Sequence, residues 1–228
     1  MNQSPLSTFD NILIDGLRFC AMTYELLESI REKENGKSRL RMRDTSVEKK
    51  LIEELLPISR YVQAKYRPGR YISVQWVNGS QQYDAIIHQT GVLVEQGFFP
   101  AEAHLEVTGA MHPNEYLSRE RVEKVGDAFS VEGLSRLKNG QIESQVVVHS
   151  NDDFIEEFSH LVVGQILKKA GIAYPTGTIL IVSCTLNSTY YPNEWSLLVS
   201  KVRAALPSHD FLEIFMYDAI SEYASSFY

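Results

Sequence analysis

The sequence contains few of the residues that build disulfide-rich or metal-cluster folds. Its two cysteines, Cys20 and Cys184, are too few for a disulfide framework or a zinc cluster. No apolar run approaches the roughly 20 residues that a membrane-spanning helix needs. A basic start followed by an apolar stretch, which is typical of a secretory leader, is also missing. We therefore expect a cytoplasmic protein without a membrane partner, in which both thiols are small core residues.

Common catalytic signatures are missing as well. The sequence contains no G-x-G-x-x-G after a strand pattern, no G-x-S-x-G, no H-E-x-x-H and no C-x-x-C. Gly36-Lys37-Ser38 matches the end of a phosphate-binding P-loop, but Arg31 stands where that motif requires glycine, and no strand precedes it. These observations exclude the common dinucleotide, hydrolase, zinc-protease and phosphate-loop sites.

Length and composition fit one globular domain. The chain has 228 residues, of which 44% are hydrophobic and 22% are charged, and we find no repeat or low-complexity segment. We expect a single domain over residues 1–228. Within it, residues 1–45 are predicted as an N-terminal helical extension with a basic connector, and residues 46–228 as the core.

The charge is distributed unevenly along a chain whose net charge is −7. Residues 31–70 contain twelve Lys and Arg against six Asp and Glu, whereas the remaining C-terminal part is acidic. Such asymmetry suggests an anionic partner, such as nucleic acid, for residues 31–70. The residues predicted to contact nucleic acid are Lys37, Arg39, Arg41 and Arg43. The alternative is an ordinary solvated helical surface.

Two helices are predicted in the first third of the chain. Apolar residues at helical spacing predict a helix over residues 8–33, and residues 36–45 are predicted as the basic connector. A second helix is predicted over residues 46–66, where Thr45 begins a capping box and Pro57 indicates a kink or break.

Extended structure is predicted after these helices. A hairpin is expected from strands at 71–77 and 82–88, because Asn78-Gly79 lies between them. The remaining predicted elements are strands at 91–96 and 103–109, a helix at 114–125, a strand at 144–149, a helix at 151–170, a strand at 178–186, a helix at 193–206 and a strand at 211–217. This order predicts an α/β (α+β) fold in which a mixed sheet is flanked by helices.

One carboxylate lies in each of two neighbouring predicted strands. Because strand residues alternate between faces, Asp84 shares a face with His88, and Glu106 shares a face with His104 and Thr108. Two carboxylates on adjacent strands bind a hard divalent cation such as Mg²⁺, which activates water in phosphoryl transfer. The alternative is that both acids point to solvent from a half-exposed sheet.

The order of these elements resembles the PD-(D/E)xK nuclease superfamily, which has the restriction-endonuclease-like fold. That family has a helix, a hairpin carrying an Asp, a strand carrying (D/E)-x-K, and a helix packed on the sheet. The corresponding segments here are the helix at 46–66, the hairpin at 71–88, the strand at 103–109 and the helix at 114–125. The stretches HLEVTGAMHPNEYLSRERVEKVG and ILKKAGIAYPTGTILIV also look like bacterial members whose strand contains E-x-T. The resemblance covers roughly residues 46–185.

The resemblance implies roles for individual residues. Asp84 and Glu106 would be the catalytic acids and would ligate Mg²⁺ or Mn²⁺. The Val107 carbonyl would be a third metal ligand, and Glu53 or Glu54 would be an outlying acid.

The sequence departs from the family at its lysine, which positions the attacking water and stabilises developing charge. Thr108 replaces it, and a threonine hydroxyl carries no charge and is a poor base. Some family members move this charge to a neighbouring helix, and Arg119, Arg121 and Lys124 are the candidates here. Of these we predict Lys124 as catalytic, because only the pKa of a lysine is readily tuned for base chemistry.

Alternatives remain open for the metal and for the function. His88 and His104 share faces with the acids, so a transition-metal site with imidazole ligands is an alternative to a magnesium site, as are simple hydrogen-bonded sheet histidines. The expected function is that of a metal-dependent phosphodiesterase or nuclease with a degenerate active site. The alternative function is a non-catalytic module on the same scaffold that binds a protein partner or nucleic acid.

Overall fold

The computed structural model describes residues 4–148, 150–186 and 188–228. The strands in this part of the chain are β1 (Leu13–Asp15), β2 (Tyr71–Trp76), β3 (Ala85–Thr90), β4 (Glu102–Ala110), β5 (Leu134–Arg136), β6 (Ile142–Ser144), β7 (Thr178–Cys184), β8 (Glu213–Asp218) and β9 (Ala224–Phe227). Seven of them form one mixed sheet, and β5 and β6 form a separate antiparallel pair.

Helices account for most of the remaining regular structure. They are α1 (Gly16–Arg31), α2 (Gly36–Met42), α3 (Ser46–Lys50), α4 (Leu56–Lys65), α5 (Val92–Glu95), α6 (Glu115–Val125), α7 (Asn151–Ala170) and α8 (Pro192–Ala204). Residues Leu51–Leu55 form a π-helical turn that joins α3 to α4, so the chain is helical without interruption from Ser46 to Lys65. No helix in the described ranges is both long enough and apolar enough to cross a membrane.

The main sheet has the strand order β1-β2-β3-β4-β7-β8-β9. Strands β1 to β4 pair in antiparallel fashion, β4, β7 and β8 are parallel, and β9 pairs with β8 in antiparallel fashion. Strands β2 and β3 form an antiparallel hairpin as predicted, but β3 begins at Ala85 rather than at residue 82, so Asp84 lies in the connection just before the strand. Strands β7 and β8 lie within the segments 178–186 and 211–217 or extend one residue beyond them. The prediction of an α/β fold with a mixed sheet flanked by helices is confirmed.

Two hydrophobic cores lie against this sheet. One combines α1, the π-helical turn and α4 with residues of β2 to β4, and includes Phe19, Leu55 and Leu105. The other combines α7 and α8 with residues of β7 and β8, and includes Phe158 and Trp195. The first 45 residues contribute to the former core, since Phe9, Phe19 and Ile30 are buried in it. Thus the N-terminal helix packs in the same core as the strands that carry the two acids.

The predicted helix at 8–33 begins too early. Residues Leu13–Asp15 form β1, whose Ile14 pairs with Val74 at the edge of the sheet. The carboxylate of Asp15 accepts hydrogen bonds from the backbone N–H groups of Leu17 and Arg18, at 3.0 and 3.2 Å. This N-cap ends the strand and begins α1 at Gly16. The apolar residues before it have a helical spacing by coincidence.

The segment predicted as a basic connector, residues 36–45, contains a helix. Its long side chains favour α2, which shows no apolar stripe and was therefore missed. Arg43 ends the helix in the left-handed conformation, with φ 58°. The capping box predicted between Thr45 and Glu48 is confirmed, and it begins α3 directly afterwards.

Three other predictions of local structure differ from the structure. Residues 91–96 were predicted as a strand, but Gly91 has φ 108° and the next four residues form α5. The strand predicted at 144–149 lies at Ile142–Ser144 instead, and His149 is outside the described residues. Strand β9 was not predicted, because Phe227 is the only large apolar residue among its four positions.

Candidate functional site

The site forms where β3 and β4 separate. Strand β3 pairs with β4 from Glu102 to Leu105, whereas β7 pairs with β4 along the other edge as far as Ala110. Asp84 directly precedes β3, and its N–H donates to the Leu105 carbonyl at 2.8 Å. Glu106 follows Leu105 on β4, so this contact brings Asp84 close to Glu106, and the two negative charges interact.

Beyond Leu105, β3 no longer pairs with β4, and the carboxylate of Asp84 serves there as a hydrogen-bond partner of the β4 backbone. Its Oδ2 atom accepts a hydrogen bond from the Val107 N–H at 2.8 Å. The bond fixes the Asp84 side chain across the opening between the strands. It also satisfies the hydrogen-bonding capacity of the Val107 N–H, which β3 does not reach.

A cavity of about 600 Å³ occupies this opening, and both carboxylates line it. Val107 and Thr108 also line it. The other charged lining residues are Arg43, Glu53, Glu54, Arg60 and Lys169. The sheet therefore places Asp84, Glu106 and Val107, the three predicted metal ligands, around one cavity.

Glu106 is nearly buried and is held by two side chains from the C-terminal half of the chain. Its Oε1 atom lies 2.5 Å from Lys169 Nζ, and it accepts a hydrogen bond from the Tyr174 hydroxyl at 3.3 Å. Lys169 lies in the last turn of α7 and is one-quarter exposed. Because Glu106 is only 8% exposed, this ion pair forms with little solvent around the carboxylate.

The environment of Asp84 disfavours its charged form. Burial, followed by the negative charges of Glu106 and Glu54, raises the pKa of Asp84 to about 7. The hydrogen bond from Val107 and the charge of Lys169 act in the opposite direction but are smaller. Crowded carboxylates of this kind are a common property of sites that bind a cation.

The π-helical turn brings two more acids to the cavity. Glu54 accepts a hydrogen bond from Trp76 Nε1 at 2.9 Å and pairs with Lys50 at 3.0 Å. Glu53 pairs with Arg43. Both acids line the cavity, so each of the two residues proposed as the outlying acid lies near the carboxylate pair.

Lys124 lies elsewhere on the surface. Its side chain is 66% exposed, pairs with Glu120 at 2.7 Å, and lines a different cavity between α6 and the β5–β6 hairpin. Arg119 and Arg121 pair with Glu115 and Asp127. The structure brings Lys169, rather than Lys124, to the acids.

The three arginines predicted to contact nucleic acid are engaged within the chain. Arg39 pairs with the buried Glu48, Arg41 pairs with Glu123 at 2.8 Å, and Arg43 pairs with Glu53. Lys37 lines a surface groove together with Arg31 and Lys33. Much of the positive charge of this segment is therefore balanced by carboxylates of the protein itself, which weakens the electrostatic argument for an anionic partner there.

The two histidines lie beyond the acids on the same strands. His88 Nδ1 is 3.6 Å from Glu102, and the His104 ring packs on the ring of Tyr83. The described ranges contain no group of three or more His, Cys, Asp and Glu side chains arranged to hold a metal ion. This geometry gives no support to the transition-metal alternative.

The oxygen donors at the cavity fit a hard cation bound by few protein ligands. Mg²⁺ keeps several waters and is commonly held by one or two carboxylates together with substrate phosphates. Asp84 and Glu106 supply two carboxylates on adjacent strands, and a divalent cation would relieve the repulsion that raises the pKa of Asp84. The donor set is therefore compatible with Mg²⁺ or Mn²⁺.

Sequence reasoning missed Lys169 although a signal for it was present. The buried stripe of α7 consists of Ile155, Phe158, Val162 and Ile166. Lys169 follows Ile166 by three residues and so continues the stripe towards the sheet, whereas its neighbour Lys168 is exposed. A pair of lysines in the last turn of a helix is also expected without any site, because basic residues are favoured there for their charge alone.

The geometry of the site is thus a carboxylate pair, a lysine and a cavity at the point where two strands diverge. Comparison with family models, with curated proteins and with solved structures gives no match for this chain.

Proposed function

We propose that the protein is a metal-dependent phosphodiesterase that cleaves nucleic acid, with a PD-(D/E)xK-like site in which the lysine comes from another element. Asp84, Glu106 and Lys169 are its central residues. The observation that supports this proposal is that all three line one cavity, with Lys169 Nζ 2.5 Å from Glu106. Two acids and one amine around an accessible cavity are suited to hydrolysis of a phosphodiester.

Asp84 and Glu106 would hold a divalent cation, which would supply Lewis acidity and activate water. In the reaction an oxygen of water bonds to phosphorus while the bond from phosphorus to the leaving oxygen breaks. The attacking water loses one proton to solvent and the leaving oxygen takes up one proton from solvent, so that a phosphomonoester and an alcohol are formed. Lys169 is paired with Glu106, so its role is to orient that carboxylate and to stabilise negative charge that develops on the phosphoryl oxygens.

Lys169 supplies the site with the positive charge that is missing from β4, where Thr108 stands in place of the family lysine. Thr108 lies in the wall of the cavity, two residues after Glu106. The ammonium group reaches the same carboxylate from α7, a helix that follows β4 in the chain. A charge delivered from a different element serves the same electrostatic purpose, because the position of the ammonium group matters rather than its origin in sequence.

The main alternative is a binding module without catalysis. It is favoured by the small number of metal donors in the described part of the chain and by the ion pair that already satisfies one oxygen of Glu106. In that case Asp84 and Glu106 would be the remaining residues of a former cation-binding site that no longer supports catalysis. Cleavage measurements on matched variants separate the two functions.

The test is cleavage of single-stranded and double-stranded DNA and of RNA in the presence of Mg²⁺ or Mn²⁺. We expect wild-type activity that EDTA abolishes. Asp84→Asn, Glu106→Gln and Lys169→Met should each reduce the rate at least about 100-fold, because each removes a metal ligand or a charge in the transition state.

Two variants serve as controls for charge removal outside the cavity. Glu102→Gln neutralises an exposed acid on the same strand as Glu106, and Lys124→Met removes the lysine on α6. Both should cleave like the wild type. Equal background activity in the wild type and in all three cavity variants would contradict the proposal, and loss of activity in Lys124→Met would reassign the lysine.

A further inference from the structure

Arg60 on α4 is one of three cationic residues that line the cavity, and it is held by two contacts. Its Nη2 donates a hydrogen bond to the Ser221 carbonyl at 2.8 Å. Its guanidinium carbon lies 5.9 Å from the centre of the Tyr217 ring, and Tyr217 also lines the cavity. Because two contacts hold the guanidinium in place, little side-chain freedom remains to be lost when a ligand binds.

Arg60 differs from the other cationic residues of the cavity in its charge balance. Lys169 is paired with Glu106, and Arg43 is paired with Glu53. None of the ion pairs found in residues 4–148, 150–186 and 188–228 involves Arg60; its one hydrogen bond is to a neutral carbonyl. A guanidinium has five N–H donors, so several remain available beside an uncompensated positive charge.

We infer that Arg60 binds a phosphate of the substrate other than the one that is cleaved. This inference rests on the proposed function of the cavity and adds a second phosphate-binding position to it, beyond the phosphate that is cleaved. A planar guanidinium binds phosphate through two parallel hydrogen bonds. Its charge also attracts a polyanion to a cavity lined by four acids, of which Glu53, Glu54 and Glu106 are already paired with cationic side chains.

Binding is tested with a short fluorescein-labelled single-stranded oligonucleotide, measured by fluorescence anisotropy in EDTA at several salt concentrations. Arg60→Gln should weaken binding about tenfold and reduce the slope of log affinity against log salt by about 0.7, as expected for one lost phosphate contact. Arg60→Lys keeps the charge without the planar group and should lose less. Arg203→Gln is the matched control, since Arg203 also lies over an aromatic ring, Phe227, but on α8.

Kinetics provide the second arm of the experiment. In Mg²⁺, Arg60→Gln should raise KM about tenfold and leave kcat within about twofold, because the contact is to a phosphate that does not react. Loss of kcat alone, an unchanged affinity and salt slope, or equal weakening in Arg203→Gln would overturn the inference, as would a wild-type protein that does not bind the oligonucleotide.

The two proposals fail in different ways. Binding that depends on Arg60 in a protein that cleaves nothing supports the phosphate contact and contradicts the hydrolytic function. Cleavage that is lost in Asp84→Asn but unaffected in both KM and binding by Arg60→Gln supports the hydrolytic function and contradicts the phosphate contact. Thermal unfolding of Arg60→Gln and Arg60→Lys establishes that both variants are folded.

Discussion

Asp84 is placed where its ionised form is unfavourable in the protein without metal. Its pKa of about 7 lies well above the value of about 3.9 that an unfolded chain would have. The native state therefore holds its proton more tightly than the unfolded state does. Stability from this group is fully present below about pH 4, declines as the pH rises towards 7, and is lost above that.

We therefore expect Asp84→Asn to be more stable than the wild type at pH 8 in EDTA. The gain should be about 1–3 kcal/mol, which is less than the roughly 4 kcal/mol that the whole shift would give, because solvent reaches part of the side chain. Urea denaturation at pH 8 and at pH 4 measures it. The advantage should disappear at pH 4, and a variant less stable than the wild type at pH 8 would contradict the assigned environment of Asp84.

Lys169 and Thr108 show, for individual residues, which parts of the site a sequence motif specifies and which it does not. The acids were predicted from the local alternation of strand residues, and both line the cavity. The catalytic lysine was predicted on α6, which follows the strand of Glu106 closely in sequence. The ion pair instead joins residues 63 positions apart, and only the docking of α7 on the sheet brings them together.

At the scale of elements, α2 and α3 are tied together by one carboxylate. Glu48 is fully buried, completes the capping box with Thr45, and pairs with Arg39 of α2. Glu48 thus caps the start of α3 and also holds the preceding helix, α2, against it. This contact holds Arg43, the residue after α2, beside Glu53 at the cavity.

We expect Glu48→Ala to lower the free energy of unfolding by about 2–4 kcal/mol, since it removes the cap and leaves Arg39 without its partner. Equilibrium denaturation in urea measures this loss. Glu28→Ala is the control, because Glu28 pairs with Arg31 on the exposed face of α1 and should change stability by less than about 0.5 kcal/mol. Equal effects of the two substitutions would show that burial of Glu48 contributes nothing.

The π-helical turn between α3 and α4 is the other decisive element. Glu53 and Glu54 lie in this turn and line the cavity, where Glu54 adds to the negative charge around Asp84. Pro57 was expected to kink or break the helix. The helix continues through it, and the change from α to π hydrogen bonding lies in the turn just before it.

At the scale of the whole molecule, a bound cation links the site to global stability. A ligand that binds only the folded state stabilises it by about 2.7 kcal/mol at 100 times its Kd. For a chain of this length that corresponds to a rise in Tm of about 5–10 °C. The measurement detects metal binding even in a protein that does not cleave nucleic acid.

We expect Mn²⁺ to raise the Tm of the wild type and of Glu102→Gln, and to leave that of Glu106→Gln and Asp84→Asn nearly unchanged. Each variant is compared with itself in EDTA, so a change in intrinsic stability does not affect the result. Differential scanning fluorimetry is sufficient. The same rise in Glu106→Gln as in the wild type would place the cation elsewhere in the molecule.

The sequence by itself determined most helices and strands, the hairpin, the capping box at Thr45, and an acid at each of two adjacent strands, with Glu106 in β4 and Asp84 just before β3. These features depend on side chains close together in the chain, so local periodicity and capping preferences are enough to specify them. It failed where local signals mislead, as at β1, where a helical spacing precedes the Asp15 cap, and at α2, which lacks an apolar stripe.

Only the tertiary structure decided which cationic side chain pairs with Glu106. It also decided which cationic side chains of the described residues form no ion pair. Pairing of β3 with β4 stops at Leu105 and leaves the opening that Asp84 spans, and packing of α7 delivers Lys169 to Glu106. Arg41 is balanced by Glu123, more than 80 residues away, whereas Arg60 donates to the Ser221 carbonyl and forms no ion pair within the described part of the chain. Such pairings depend on how elements pack, and charge interactions act through space, so no count of charges along the chain reveals them.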